Sequence, residues 1–551
     1  MTDETPPTAP TAPAAGTSGT RAEVQSFRPR VGAARRVARA AAHAGAALLV
    51  LGVAAGVAVL DESVDRPAPV EAGADAVSVP PAAVRLVCPG GVRLPTEPVP
   101  GEDVSYDAQF DPSPEDAVER LVAVLDGAGD AGVGPIGGDT TGLDVAEDAG
   151  EATLEDVDGG SVLEVVPEDV VVAAGVVTAS VGSGDLRGIT AAGCVRPAAE
   201  QWLVGGGTSV GSSARLVLQN PGRTAASVEV DLWGPAGPVE LAGAPEFLVP
   251  AGSERVVLLE GVAADQRRVV VRVTASGGLV GAYVQDSELR GLVPAGVDHV
   301  VPGAAPSTRQ VVPGIDVPTT EVEGADPALL RLLAPEAGTT ARISLVGPEG
   351  VVRLPGAEEV RLEAGTVLDV PLGGLAQGGY TAVVEADEPV VAAAMVTRGR
   401  SVGRTDGVRT DPVDRAWAAS VRPGGTSAVA LPSDVPGRLV LGVVEGDGPR
   451  VVEVGVRLLS TGGGVVAEGT VTLTEGRSTT VGRAELLELV TGEEAAADDV
   501  GRVAGVVVGT DDERVAWASV LTAPLPTGDV VSVIVPTPAL ESRTEVAVAL
   551  R

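Results

Sequence analysis

A chain of 551 residues with 44% hydrophobic residues and a mean hydropathy of +0.26 has room for several domains, each with its own core. Its net charge of −36 and pI near 4.4 repel phosphate backbones and argue against nucleic-acid binding. All 39 basic residues are arginine, so Walker-type phosphate loops and Schiff-base chemistry, which need lysine, are excluded.

The first 39 residues carry six arginines against Asp3, Glu4 and Glu23, and residues 1–20 are a Pro/Thr/Ala tract with nothing to build a core, which predicts a disordered cytoplasmic tail. Ala40–Leu60 follows, 21 residues without a formal charge, ending at Asp61-Glu62. At about 1.5 Å per residue such a helix spans a bilayer core of about 30 Å, and the arginines on its N-terminal side place that side in the cytoplasm. Val59-Leu60-Asp61-Glu62 is a poor cleavage site, so an uncleaved anchor is favoured over a signal peptide. Residues 61–79 read as a linker, and everything beyond the anchor is expected outside the cytoplasm.

The remainder is expected to be all-β. Glycine (73) and proline (43) are spread along the chain, and valine-rich runs suit a pleated surface. A pattern recurs at about 110 residues: LVLQNP with SVEVDLWGPAG, LRLLAP with RISLVGPEG, and RLVL with VEVGVRLLSTGGG. Each copy ends in a hairpin, with turns at Ala275-Ser276-Gly277-Gly278, Ala386-Asp387-Glu388-Pro389 and Thr510-Asp511-Asp512-Glu513. These repeats predict tandem immunoglobulin-like β-sandwich modules at 201–305, 306–425 and 426–551, after a divergent β-module with an acidic insert at 80–200. Four sandwiches in series are the expected arrangement. A single closed, propeller-like assembly is the alternative, because the tail VVSVIVPTPALESRTEVAVALR resembles the start of another repeat. Within the first module, Pro112–Gly127 reads as an amphipathic helix on the spacing of Val118, Leu121, Val122 and Leu125, and GGDTTGLDVAEDAGEATLEDVDGG as an exposed loop without calcium-loop spacing.

Cys88 and Cys194 are the only cysteines, and in an oxidising compartment they read as one disulfide, with two buried thiols as the competing reading. Catalytic signals are weak. Gly207-Thr208-Ser209-Val210-Gly211 fits a nucleophile elbow, but a strand-like segment follows it where a helix is needed, and His299 is the only later histidine. His299 itself is expected to be structural or exposed. Trp202 and Trp417 are expected to pack between modules, and no metal or cofactor site is predicted.

The Cys88-Pro89-Gly90 element, Cys194 with Gln201-Trp202-Leu203-Val204-Gly205-Gly206-Gly207, and Asn220-Pro221 with the VDLWGPAG strand together resemble an actinobacterial family, the domain of unknown function numbered 5719. The resemblance covers most of the chain after residue 60 and implies an anchored envelope protein, with no activity and no functional residues to carry over. The expected function is therefore a non-catalytic, membrane-anchored scaffold or interaction protein of the cell envelope. The alternative is a carbohydrate- or lipid-carrier-binding accessory to envelope glycan assembly, and a third class, an enzyme using carboxylates alone, requires two acids facing each other in a cleft.

Overall fold

Short valine-rich runs, separated by glycine- and proline-bearing turns, become strands throughout the computed structural model. It describes residues 75–78, 83–94, 118–318, 326–399, 411–541 and 545–548, less a few positions inside these ranges. The expected tail 1–39 and membrane helix 40–60 lie outside the described residues, among which no helix is long and apolar enough to cross a membrane. Chain contacts separate a minor unit, of which residues 75–77 and 547–548 are described, from a major unit, residues 78–546.

The major unit repeats one two-sheet plan four times. In the second copy the first strand, Glu200–Val204, pairs with the sixth, Val270–Ser276, which pairs with the third, Ala226–Gly234, and that strand carries two short edge segments, Gly237–Val239 and Glu246–Val249, counted together as the fourth. The other sheet runs from the fifth strand, Ser253–Leu258, through the second, Ser212–Asn220, and the seventh, Gly281–Arg290, to the eighth, Val293–Val300. The third copy keeps this order, but one 22-residue strand, Gly378–Gly399, serves as sixth in one sheet and seventh in the other. The fourth copy repeats the plan from Gly425–Ala430 to Val530–Ile534, and the first from Val84–Cys88 to Gly188–Gly193. Buried glutamines join the two sheets at matching places: Gln201 donates to the Val280 carbonyl, and Gln310 donates to the Val390 carbonyl at 2.7 Å.

Consecutive along the chain, the four copies are not strung in series. Alternate residues of each second and seventh strand point into the copy's own sandwich, and the rest pack on the copy before it. Leu330 and Leu332 lie in the third copy's core, whereas Leu333, Val391 and Ala393 join the second copy's. Leu439 and Leu441 face the fourth copy's interior, whereas Val440, Ala518 and Val520 join the third's. The first copy completes the cycle, because Leu121, Ala123 and Leu125 fill its own core while Val122, Val124, Ala174 and Val176 pack into the fourth copy. Strands buried on both faces need a neighbour on each side, and four copies satisfy all of them only by closing on themselves. The closing seam is also tied by Leu540–Glu541, which pairs with Val170 and Val171 of the first copy.

Four local expectations are corrected. The expected hairpins do not form: the sixth and seventh strands, such as Val270–Ser276 and Gly281–Arg290, lie in opposite sheets and do not pair, and Ala386-Asp387-Glu388-Pro389 falls inside the strand Gly378–Gly399 rather than in a turn, because the chain crosses from one sheet to the other there. Val118–Asp126 is a nine-residue strand, so the described part of Pro112–Gly127 contains no helix; its apolar spacing reflects burial on both faces. The segment expected as an exposed loop contains Thr141–Gly142, Asp144–Ala146 and Ala149–Glu155, the last running as the fifth strand with its first three residues buried. The fourth copy's longest helix, Arg483–Thr491, was not foreseen; Glu485 caps the Gly482 backbone N–H at 2.9 Å, and Leu486 and Leu487 anchor it to the core.

Candidate functional site

The eighth strands of the four copies, Gly188–Gly193, Val293–Val300, Val413–Ala419 and Val530–Ile534, pack around a common axis, each beside the next and the last beside the first. Most of their residues are small or β-branched, and glycine supplies the closest approaches. A Cβ on Gly188 would lie 2.6 Å from Asp414 Oδ1, and one on Gly296 (φ +113°) would lie 2.7 Å from the Arg415 nitrogen.

Polar side chains fill this junction. Asp414 Oδ2 accepts the N–H of Ile189 (3.2 Å) and of Val531 (2.9 Å), joining the third copy to the first and the fourth. Asp298 accepts the Trp417 N–H (2.6 Å) on one oxygen and the Ser532 hydroxyl (3.0 Å) on the other, while the Ala191 N–H donates to Ser532 Oγ (2.8 Å). Two carboxylates and one hydroxyl thus connect all four copies. Asp286, opposite Asp298 on the adjacent strand, accepts the Trp417 indole N–H at 2.9 Å and pairs with Arg415 at 3.0 Å; Arg415 also pairs with Glu288.

Burial dominates the electrostatics here. It raises the Asp298 carboxyl well above the usual range, helped by nearby Asp414 and opposed by its hydrogen-bond donors. It pushes Asp414 up to about 7 against the Val531 and Ile189 amides and the Arg187 charge. Burial also works against ionised Glu288, but Arg415 and Arg290 outweigh it and hold that carboxyl below its ordinary value.

The predicted residues fall into place as follows. Cys88 and Cys194 form a disulfide across 106 positions, buried in the first copy's core. Ser209 lies in a turn with its Oγ 3.4 Å from Ser212 Oγ, and strand Ser212–Asn220 follows. The glycines before it serve packing, since a Cβ on Gly205 would collide with Trp417 and Val300. His299 is buried edge-on to Tyr283, ring centroids 5.0 Å apart, and burial pushes it down to about 3, so it is neutral. Trp417 does join copies, lying under Arg331 of its own copy, whose guanidinium reaches the Gly206 carbonyl of the second. Trp202 instead stacks on Trp233 of its own copy at 5.1 Å. All four tryptophans are buried, which leaves none as an open sugar platform.

Asp286 and Asp298 are the acid pair that a carboxylate mechanism would invoke, but they are 0% and 1% exposed. They act as internal acceptors. At the C-terminal end of the axial strands a recess of about 310 Å³ opens beside the disulfide, with Val301, Pro302, Val535 and Pro538 around it and Arg196 at its rim. Among the described residues no cluster of three or more metal-ligating side chains occurs. Sequence reading passed over the axial acids, although Asp298 and Asp414 interrupt apolar strand segments, VDHVV and VDRAWAA, and that interruption was the available signal.

The chain belongs to the family described as Family of unknown function (DUF5719), whose model matches residues 152–484, more than half of the sequence and the whole of the second and third copies. No curated protein matches it.

Proposed function

We propose, taking membership of a family without an assigned activity as the premise, that the chain is a non-catalytic interaction platform of the cell envelope, tethered by residues 40–60 and held outside the cytoplasm. One observation carries the reading: the acids raised most by burial, Asp298 and Asp414, are used as hydrogen-bond acceptors between copies and are shut away from solvent. Their strained chemistry goes into holding a rigid body together, and rigid surfaces suit recognition. The Cys88–Cys194 bridge supports an oxidising compartment, and the run of uncharged residues 40–60 behind six arginines supports the tether.

Fusion of alkaline phosphatase after Arg551 tests the topology, because that reporter works only outside the cytoplasm; an active fusion is expected, and an inactive one overturns the placement. Recovery of the intact protein from cross-linked native membranes tests the role. Another envelope protein should come with it, and recovery of none rules the platform out.

A further inference from the structure

Each first-strand sheet ends on the fourth strand, and in three copies that edge is short or broken. It is Thr141–Gly142 in the first copy, Gly237–Val239 and Glu246–Val249 in the second, and Gly350–Val352 and Glu359–Leu362 in the third. In the fourth copy it is one strand of ten residues, Val465–Thr474, and residues 467–474 keep unbroken register with the third strand, Val451–Ser460. Among the described residues no strand pairs with its other side, and no hydrogen bond reaches the outer edge of residues 467–473.

Sheet edges are usually guarded by proline, lysine or an inward-pointing charge. Residues 467–474, AEGTVTLT, carry none of these. Val471 and Leu473 are buried on one face, and Glu468, Thr470, Thr472 and Thr474 are exposed on the other. The one charge, Glu468, lies on that solvent face, 3.5 Å from Arg457. In an antiparallel strand alternate residues turn both N–H and C=O toward the same neighbour. Half of these groups therefore face away from the third strand, as a ladder that only another extended chain pairs rung by rung.

The helix Arg483–Thr491 discriminates among extended chains. Its last turn rests on the edge strand, since a Cβ on Gly469 would lie 2.6 Å from the Val490 carbonyl oxygen. That end of the helix carries the negative end of its dipole. Residues 485–499 add Glu485, Glu488, Glu493, Glu494, Asp498 and Asp499 and no basic residue, and none of the six is buried. Arg502 offsets Asp499 alone, at 3.5 Å. The field beside the edge thus attracts a cationic chain and repels an acidic one. A second copy is such an acidic chain: two-fold pairing here would set two of these helices together on molecules of net charge −36.

We propose that this edge takes up a basic, extended peptide segment of a partner protein. The segment adds a strand beside Val465–Thr474 and sets its arginines or lysines against the acids around the helix. The proposal rests on the platform reading above, of which it names the docking surface.

The test titrates the purified full-length protein with a peptide of alternating threonine and valine that ends in arginines, and follows amide hydrogen exchange. Saturable binding is expected, with amides inside residues 467–474 newly protected. The same peptide ending in glutamates should bind at least about tenfold more weakly, and one with proline in place of valine should not bind. Glu493→Arg combined with Glu494→Arg should weaken the arginine-ended peptide about tenfold. Both side chains are exposed, so this variant should melt as the parent does. The proposal is overturned if the arginine-ended peptide does not bind, if protection falls elsewhere, or if neither charge change matters. Protection of these amides by rising protein concentration alone would assign the edge to a second copy and also overturn it. Failure of the peptide while an envelope protein is still recovered by cross-linking removes this edge and leaves the platform standing.

Discussion

Asp414 and Asp298 hold their protons more tightly in the folded protein than in the unfolded chain, and this fixes the sign of a pH effect. An unfolded aspartate titrates near 3.9, whereas Asp414 in place titrates at about 7. The folded form's advantage is therefore complete below about pH 4 and is lost as the pH rises through about 7, a difference of roughly 4 kcal/mol for this one group. Its charged neighbours are Arg187 and Arg415, with the Asp298 carboxyl and, through Arg415, Asp286 and Glu288 close by. His299 acts in the opposite sense: folded, it stays neutral above about pH 3, while the unfolded imidazole takes up a proton below about 6.5, so its burial costs stability at low pH and that cost fades as the pH rises through 6.5. Asp414→Asn keeps an acceptor oxygen for Ile189 and Val531 while removing the titration. Because His299 still titrates, the variant's own profile need not be flat; its stability relative to the parent should rise as the pH goes from 4 to 8, leaving it at least as stable as the parent at pH 8. Urea denaturation of both proteins at several pH values measures this, and a stability difference between them that does not change with pH contradicts it.

At the scale of the strand, two glycines in the fourth copy separate what packing requires from what it permits. Gly505, in strand Val503–Thr510, faces Val124 of the first copy, and a Cβ there would lie 3.0 Å from Val124 Cγ2. Gly455, in the neighbouring strand Val451–Ser460, faces open space. Gly505→Val should overpack the closing seam and destabilise by about 1–3 kcal/mol. Gly455→Val should be neutral or mildly stabilising, since a β-branched residue suits a strand better than glycine does. Denaturation midpoints of the two variants give the comparison, and equal effects would mean that the first and fourth copies do not close on each other in solution.

For the whole molecule, closure changes what a copy is worth by itself. In an open array of beads each copy would fold alone. Here each second and seventh strand shares its apolar side chains between two copies, so removing one copy exposes apolar faces on both neighbours. Deletion of residues 425–551 should strip cover from Val122, Val124 and Val176 on the first copy and from Val312 and Ile315 on the third. The shortened chain is expected to aggregate or lose its fixed tertiary packing, whereas the full chain should unfold in one cooperative transition. Size-exclusion chromatography and near-ultraviolet circular dichroism distinguish the outcomes, and a monomeric, natively packed three-copy fragment would refute the shared-core account.

The sequence by itself determined the all-β class, the repeat and the Cys88–Cys194 pair, because each is local or compositional: φ preferences at glycine and proline, β-branched runs, and a count of two cysteines. It misled at Val118–Asp126 for a physical reason. A strand buried on both faces loses the alternation of period two that identifies strands, and its continuous apolar run Leu121–Leu125 also satisfies a helical spacing. The same continuous burial in Ser212–Asn220 and Val515–Ala523 was the written sign of closure, but it does not say which surface covers the second face. Only the tertiary structure decided that the cover is the preceding copy, that Asp298 meets Ser532 across 234 positions, and that Asp126 reaches Arg457. Local propensity acts over a few residues, and the partners that complete this ring lie hundreds of residues apart.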